Sequence, residues 1–169
     1  MEEFPVHWPQ FFTATIIEWK FLLKDDKFKK IIIDSLIYLV SNGKIKLYAF
    51  VIMSNHIHLI WQARNGYDPD KIRHSFMKFT AHQMLNELKK HDEDLLKKFK
   101  VEKKDRAYQF WKRNAMSIEL FTEKVFIQKM NYIHYNPVKA GLCKFPEEYY
   151  YSSANFYHGG ADVFGIMTL

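Results

Sequence analysis

Two apolar segments separated by only two residues constrain the fold most strongly. Residues 44–53 (KIKLYAFVIM) and 56–62 (HIHLIWQ) are both rich in β-branched and aromatic side chains, a composition typical of strands. The Ser54-Asn55 pair between them has room only for a tight turn, so the two segments are predicted to form an antiparallel hairpin. The fold is therefore expected to contain an antiparallel sheet.

The segments on either side of the hairpin continue a βαββαβ pattern. In chain order the sequence predicts a strand at residues 11–17, a helix from Asp25 or Asp26 to about residue 41, the two hairpin strands, a helix from about residue 68 to 90, and a strand at residues 110–120. This order is typical of the ferredoxin-like (RRM-like) α+β fold. We expect an antiparallel sheet with helices on one face.

A third helix is predicted from about Thr122 to Tyr135. Asn136-Pro137 is expected to end it, because the residue before a proline disfavours the helical conformation. The remainder, from Gly141, is rich in aromatic residues and is expected to lie over the domain as a tail. We expect one domain over residues 1–169, with a catalytic core at about 11–142 and a tail at 143–169.

Cysteine content and hydropathy exclude several classes of protein. A single cysteine, Cys143, excludes a disulfide within the chain and a thiolate zinc site. The longest apolar stretch, residues 31–40, is too short to cross a bilayer and is interrupted by Asp34 and Ser35. The acidic N-terminal segment lacks the basic-then-apolar order of a secretory signal. The sequence predicts a cytoplasmic protein without a membrane partner.

A basic run at residues 97–113 suggests an anionic partner. The run has eight Lys and Arg against two acidic residues, in a chain whose formal net charge is +6. Cations interleaved with aromatic rings suit single-stranded nucleic acid, since cations contact phosphates and rings stack on bases. A solvated surface loop has the same composition. The candidate DNA-binding residues are Lys103, Lys104, Arg106, Tyr108, Trp111, Lys112 and Arg113.

His56-Ile57-His58 is the strongest local signal. Residues two apart on a strand point to the same face, so both imidazoles are predicted to project together. Two neutral imidazoles can hold one divalent metal if oxygen ligands complete the shell. Two histidines on an exposed edge strand would have the same spacing. The apolar flanks instead predict a buried central strand, where a polar side chain usually has a function.

The third helix has a second pair of candidate residues. Tyr132 and Asn136 are four residues apart and so share a helix face. A tyrosine hydroxyl can act as a covalent nucleophile, and an amide oxygen one turn further on can coordinate a metal. Tyrosines that only pack, with an asparagine at a helix end, would give the same spacing. Tyr135 is the alternative nucleophile, but its offset from Asn136 predicts a different face.

These segments together resemble the single-tyrosine HUH transposases, and within them the REP-associated tyrosine transposases most closely. The matching segments are AFVIMSNHIHLIWQ, QFWKRN, NYIHYNPVKAGL and EEYYYSSA, in an order that covers residues from about 11 to 157. Many relatives have Met-Pro-Asn where this chain has Met53-Ser54-Asn55. That difference is expected to affect the turn rather than the chemistry.

The resemblance implies a ferredoxin-like sheet with the histidine pair on a central strand and an added C-terminal helix that carries the tyrosine. Such proteins cut and rejoin single-stranded DNA beside a hairpin through a 5′-phosphotyrosine. Carried over to this chain, His56, His58 and Asn136 match the ligands of a divalent ion (Mg²⁺ or Mn²⁺), and Tyr132 matches the nucleophile. Insertion-sequence relatives act as homodimers, whereas REP-associated ones can act as monomers.

Two other functions are compatible with parts of the sequence. A non-catalytic RRM-like module that binds single-stranded nucleic acid would use the basic run and the tyrosine-rich tail. A small metal-dependent hydrolase of soluble phosphoesters would use the histidines but not the basic run. The set of His56, His58, Tyr132 and Asn136 favours the transposase, because a pure binding module does not need it.

Overall fold

A four-stranded antiparallel sheet forms the centre of the chain. The computed structural model describes residues 6–168. The strands are β1 (Gln10–Thr15), β2 (Ile45–Ile52), β3 (His56–Ala63) and β4 (Met116–Glu119). Their spatial order is β2-β3-β1-β4, with every neighbouring pair antiparallel. This is the predicted ferredoxin-like fold, in which β1 and β3 occupy the centre.

Two long helices cover one face of the sheet. They are α1 (Asp26–Ser41) and α2 (Pro69–His91). The Asp25 and Asp68 side chains accept hydrogen bonds from backbone N–H groups of the first turns, which satisfies donors that a helix start leaves without a partner. The apolar sides of both helices pack on inward-facing strand residues such as Phe12, Leu47 and Leu59. A short helix, α3 (Glu93–Lys97), follows α2.

The opposite face of the sheet is covered by helix α4 (Glu123–Lys139). Its Ile133 is buried with Phe11, Val51 and Ile60 in a smaller apolar cluster. Thr122 caps the helix by accepting a hydrogen bond from the backbone N–H of Val125. Residues on this face of β3 therefore lie between the sheet and α4.

Helix α4 extends beyond its predicted end. The prediction that Asn136-Pro137 ends the helix is wrong, because one further turn continues to Lys139. Gly141, with φ of +77°, closes that turn through paired hydrogen bonds: its N–H donates to Val138, and the N–H of Leu142 donates to Pro137. This closing motif, and not the proline, ends the helix.

The closing strand is shorter than predicted. Only Met116–Glu119 of the predicted residues 110–120 form β4. The preceding residues pair with the end of β1 instead. The Phe110 carbonyl accepts a hydrogen bond from the Ile17 N–H, and the Lys112 N–H donates to the Thr15 carbonyl. Asn114, with φ of +61°, lies between these two pairing segments, and a left-handed residue cannot continue an extended strand.

The C-terminal segment covers the outer edge of β2. After α4 the chain forms a 3-10 turn (Pro146–Glu148) and a short helix, α5 (Ala154–Tyr157). The Ile52 N–H donates to Tyr151, the Ser153 N–H donates to Phe50, and the Thr168 N–H donates to Leu47. Bonds of this kind protect an edge strand from pairing with another chain. The described tail therefore lies over the domain, as expected.

Within residues 6–168, none of the helices has the length and apolar character needed to cross a bilayer.

Candidate active site

The two predicted metal ligands lie together on the α4 side of the sheet. His56 and His58 occupy alternate positions of β3, and their ring centroids are 4.8 Å apart. The register pairs His58 with Thr13 and His56 with Thr15 of β1. Because β3 is a central strand, its backbone is held in place by pairing with β1 on one side and with β2 on the other. The shared orientation predicted from the i, i+2 spacing is present in the structure.

His58 is the more enclosed of the pair. Its imidazole is 4% exposed and stacks on Phe11 at 5.4 Å between ring centroids. Its Nδ1 is hydrogen-bonded to the Thr13 hydroxyl at 2.7 Å. Its Nε2 is buried and has no hydrogen-bond partner, and no other side-chain nitrogen or oxygen of the described residues shares that condition. Buried polar atoms are normally satisfied, so this nitrogen calls for an explanation.

Burial favours the neutral form of both imidazoles. Burial, helped by the nearby charges of His56 and Lys129, lowers the pKa of His58 to about 3. Burial also lowers the pKa of His56, although the Asn136 side chain partly opposes that change. The His56 Nδ1–H donates to the Asn55 side-chain oxygen at 2.7 Å. Neutral imidazoles with one nitrogen fixed by a neighbour are suited to metal coordination through the other nitrogen.

Helix α4 brings Tyr132 and Asn136 to the histidines. The Tyr132 ring meets His58 at 5.3 Å and Phe11 at 6.0 Å between centroids, edge to face in both cases. Its side chain remains 49% exposed, so the phenol is accessible to a large substrate. Asn136, one turn later, lies close enough to His56 to influence its pKa. The four candidate site residues, two histidines from β3 with Tyr132 and Asn136 from α4, therefore lie together.

Two residues between Tyr132 and Asn136 on α4 lie away from the histidine pair. Tyr135 is 59% exposed, and within the described chain its ring makes no aromatic contact with either histidine. His134 is buried, and its Nε2 is hydrogen-bonded at 2.8 Å to Ser153 of the tail. Burial and the nearby His158 lower the pKa of His134 to about 4. His134 thus links α4 to the tail rather than to the site.

The basic run forms a loop and a short pairing segment. The Val101 N–H donates to the Ala107 carbonyl, and the Gln109 N–H donates to the Phe99 carbonyl. These two hydrogen bonds close the loop. Lys103, Lys104, Arg106, Lys112 and Arg113 are exposed, as predicted for DNA contacts, and Tyr108 is partly buried. Two of the cations have partners in the chain: Lys103 donates to Gln109 at 2.6 Å, and Arg106 pairs with Asp105 at 2.8 Å.

Trp111 differs from the prediction. Its side chain is 7% exposed, packs in the main core and donates its indole N–H to the Thr80 hydroxyl at 3.0 Å. A ring enclosed in this way has no free face for a base, so we remove Trp111 from the candidate DNA contacts. The other members of that set remain predictions.

Sequence reasoning missed two residues near the site. Lys129, one turn before Tyr132 on α4, extends over the Phe11 ring at 5.0 Å and lowers the pKa of His58. Its spacing of three residues from Tyr132 could have indicated a shared face. Trp19 is an exposed ring whose backbone carbonyl accepts a hydrogen bond from Asn55 at 3.4 Å. No motif in the sequence pointed to Trp19.

Solved structures share this fold. The chain is similar to a REP-associated tyrosine transposase bound to a REP hairpin, with a TM-score of 0.68 at 19% identity over 94% of this chain and 86% of the other. It is also similar to a protein from Deinococcus radiodurans R1 described as a candidate transposase, with a TM-score of 0.53 at 15% identity over 79% of this chain and 95% of the other. The fold is thus one that transposases use.

A sequence comparison gives the family. The model of the family described as "Transposase IS200 like" matches residues 14–135, which include both histidines and Tyr132. The chain belongs to the IS200-like transposase family. No curated protein matches it significantly in sequence. The family expected from the sequence is confirmed.

Proposed function

We propose that this transposase cleaves and rejoins single-stranded DNA next to a hairpin, with Tyr132 as the nucleophile and with a divalent cation held by His56, His58 and Asn136. One observation carries the proposal. The partnerless Nε2 of the buried His58 lies on the same face of the sheet as the ring of Tyr132. A packing role for the histidine gives no reason for an unsatisfied nitrogen there.

The donor set fits a divalent cation. Among residues 6–168, no cluster of three or more His, Cys, Asp or Glu side chains could hold a metal, so a third protein ligand must be of another type. Two neutral imidazoles with an amide oxygen from Asn136 form such a set and leave positions for water and a phosphate oxygen. A bound Mg²⁺ or Mn²⁺ would withdraw charge from the scissile phosphate.

The position of Tyr132 supports its proposed role as the nucleophile. It is half exposed on the site face of α4, beside Phe11 and His58, where a DNA strand can approach it. Its phenolic oxygen would lose its proton to water, attack the phosphorus and displace the 3′-oxygen, which takes up a proton from water and leaves as a hydroxyl. A 5′-phosphotyrosine remains. Attack by a 3′-hydroxyl on that bond restores the backbone and releases Tyr132, so no nucleotide cofactor is consumed.

Two side chains would keep the histidines in place, and a third would contact the DNA strand. Thr13 fixes the Nδ1 side of His58 and thereby orients Nε2, and Asn55 does the same for His56. The cation of Lys129, over Phe11 on the same face as Tyr132, is suited to contact a phosphate of the strand.

A hairpin is the substrate feature we propose. The support is the fold that the chain shares with a transposase bound to a REP hairpin, together with the exposed cations of the basic run. Single-stranded DNA beside such a hairpin would leave the scissile phosphate accessible to Tyr132. We further propose that the protein acts in the cytoplasm.

The test is a covalent-capture assay. Labelled DNA hairpins with single-stranded flanks are incubated with the protein and Mg²⁺ or Mn²⁺ and separated on a denaturing protein gel. The expected result is a metal-dependent protein band that carries the label, persists in Tyr135→Phe and disappears in Tyr132→Phe. Binding by Tyr132→Phe on a native gel should remain close to that of the unmodified protein. Retarded DNA without a covalent band, across a broad set of hairpins, would indicate a non-catalytic binding module.

A further inference from the structure

An exposed tryptophan lies beside the turn that precedes the histidine strand. Trp19 belongs to a 3-10 turn (Ile17–Trp19) that begins two residues after the end of β1 at Thr15, and it is 57% exposed. Both Glu18 and Trp19 have positive φ values, 55° and 57°. Two consecutive non-glycine residues in the left-handed region are uncommon and persist only where surrounding contacts fix them. The backbone here therefore fixes the direction in which the Trp19 side chain leaves the chain.

Hydrogen bonds join this position to the candidate metal site. Asn55 donates from its side-chain nitrogen to the Trp19 carbonyl at 3.4 Å, and its side-chain oxygen accepts from His56. The Asn55 carbonyl also accepts from the N–H of Ile16 at 2.8 Å. One amide thus holds both the proposed metal ligand and the tryptophan turn, so the two features keep a fixed relationship.

The surroundings of the ring are cationic. The ammonium group of Lys112 lies 5.5 Å from the centre of the Trp19 ring. Lys112 is exposed and is the part of the basic run that pairs with the end of β1. An accessible ring next to a phosphate-seeking cation is the combination by which proteins bind single-stranded nucleic acid. Trp19 therefore has the accessible ring that the buried Trp111 lacks.

We infer that Trp19 is the stacking platform for a base of the single strand next to the scissile phosphate, with Lys112 contacting the phosphate beside that base. This inference rests on the proposed function, which supplies the single-stranded DNA and the scissile phosphate. Stacking is tolerant of base identity because every base has a π-face. The platform would therefore hold the strand in position without reading its sequence.

Binding measurements on matched variants test the platform. Trp19→Leu removes the ring but keeps an apolar side chain, and Trp19→Phe keeps a smaller ring. Both keep a Cβ at the left-handed position, so backbone strain is equal. The control is Tyr38→Leu on α1, because Tyr38 is also an exposed ring, 54% accessible, with a lysine, Lys44, 5.1 Å from its centre.

The probe is a short fluorescein-labelled single-stranded DNA of mixed sequence in EDTA, followed by fluorescence anisotropy at fixed salt. Trp19→Leu is expected to bind about tenfold more weakly. Trp19→Phe should recover most of the affinity, and Tyr38→Leu should bind like the unmodified protein. Equal affinity of Trp19→Leu and the unmodified protein, or equal losses in Trp19→Leu and Trp19→Phe, would overturn the inference.

A spectroscopic measurement keeps the test independent of folding defects. Trp61 and Trp111 are buried, Trp8 is partly buried and Trp19 is exposed, so quenching of tryptophan emission by unlabelled DNA reports mainly on Trp19. The quenching should be largely lost in Trp19→Phe and retained in Tyr38→Leu. Unchanged quenching in Trp19→Phe would contradict stacking on Trp19.

The covalent-capture assay separates this inference from the proposed function. A covalent band at Tyr132 together with unchanged DNA affinity in Trp19→Leu would refute the platform and leave the catalytic proposal intact. Loss of affinity in Trp19→Leu without any covalent band would refute the catalytic proposal, and stacking on Trp19 would stand as the binding mode of a non-catalytic protein.

Discussion

The rings of His58 and Tyr132 meet edge to face between strand β3 and helix α4, with centroids 5.3 Å apart and planes at 73°. One ring is almost completely buried and the other is half exposed. The contact therefore joins a nitrogen fixed inside the protein to a phenol that a DNA strand can reach. Any change that alters how α4 lies on the sheet would change the relationship between proposed metal ligand and proposed nucleophile.

The bond between Thr13 and His58 gives a first prediction. Thr13→Val removes the hydroxyl that fixes the Nδ1 side of the imidazole and keeps the side-chain shape. Loss of such a supporting contact typically weakens metal binding by roughly 10- to 100-fold, whereas the net cost to the free energy of unfolding is about 1 kcal/mol. Titration with Mn²⁺ followed by electron paramagnetic resonance measures the first quantity, and urea unfolding in EDTA measures the second.

Thr80→Val is the matched control for that prediction. Thr80 is buried on the other face of the sheet, and its hydroxyl accepts the indole N–H of Trp111. The substitution should lower the free energy of unfolding by about 1–3 kcal/mol, because it leaves a buried donor without a partner. Mn²⁺ affinity should stay unchanged. If Thr13→Val and Thr80→Val bind Mn²⁺ equally well, the supporting role of Thr13 is wrong.

Much of this fold could be predicted because its elements have clear periodicities. The strand-like composition of the hairpin segments and the helical spacing in α1 and α2 each agree with the final structure, and both helices begin next to the aspartates at which the sequence predicts their starts. The end of α4 could not be predicted from Pro137 alone. A proline removes one hydrogen bond, but a helix can continue for a turn when a later glycine closes it, as Gly141 does.

The histidine pair and the Tyr132–Asn136 pair could be predicted because spacing along a strand or helix fixes which side chains share a face. The accessibility of the aromatic rings could not. Trp111 is in a basic segment that is otherwise exposed, yet its indole is buried against Thr80, a partner on another element. Trp19 is exposed because two non-glycine residues adopt a left-handed backbone, which no local sequence signal indicates.

The exposed end of the basic run gives a second prediction. The double substitution Lys112→Ala, Arg113→Ala should weaken binding of single-stranded DNA and reduce its salt dependence, because each lost phosphate contact lowers the slope of log K against log salt by about 0.7. Lys30→Ala on α1, an exposed lysine paired with Asp34, is the control and should leave the slope unchanged. Anisotropy titrations over a range of NaCl concentrations measure both.

Trp111→Phe tests the reassignment of that residue to the core. The change removes the hydrogen bond to Thr80 and part of a buried ring, so the free energy of unfolding should fall by about 1–3 kcal/mol. DNA affinity at neutral pH should not change while the protein remains folded. Weaker DNA binding in Trp111→Phe without any loss of stability would restore Trp111 as a contact.

The buried His134 makes stability depend on pH. Its pKa is about 4 in the folded protein and 6.5 when unperturbed, so the unfolded chain binds a proton between these values while the folded protein does not. Stability is therefore complete above pH 6.5 and falls as the pH decreases towards 4. Between pH 7 and pH 5 this group should cost about 2 kcal/mol in the free energy of unfolding.

Urea unfolding of the metal-free protein at the two pH values measures this dependence. Between pH 7 and pH 5, the free energy of unfolding of His134→Gln should fall by about 2 kcal/mol less than that of the unmodified protein. Ser153→Ala, which removes the hydrogen-bond partner and keeps the imidazole, should retain most of the acid sensitivity. The lowered pKa of His58 also makes stability depend on pH. Because His58 is present in all three proteins, its contribution cancels when their acid losses are compared. Equal acid losses in His134→Gln and the unmodified protein would contradict the buried neutral state of His134.

The contact between Tyr132 and His58 within one chain predicts that each molecule uses its own tyrosine. Tyr132→Phe and His58→Ala should each abolish covalent capture of DNA, the first by loss of the nucleophile and the second by loss of a proposed metal ligand. If the tyrosine acts within its own chain, a mixture of the two variants should also form no labelled band, because neither molecule has a complete site.

The mixture is compared with each variant alone and with the unmodified protein at the same total concentration, in Mn²⁺ and on denaturing gels. Size-exclusion chromatography of the same samples shows whether they form dimers. A labelled band in the mixture, absent from both separate variants, would mean that α4 exchanges between two copies and supplies Tyr132 to the partner's histidines. The edge-to-face contact seen here would then describe only one of two positions that the tyrosine helix adopts during the reaction.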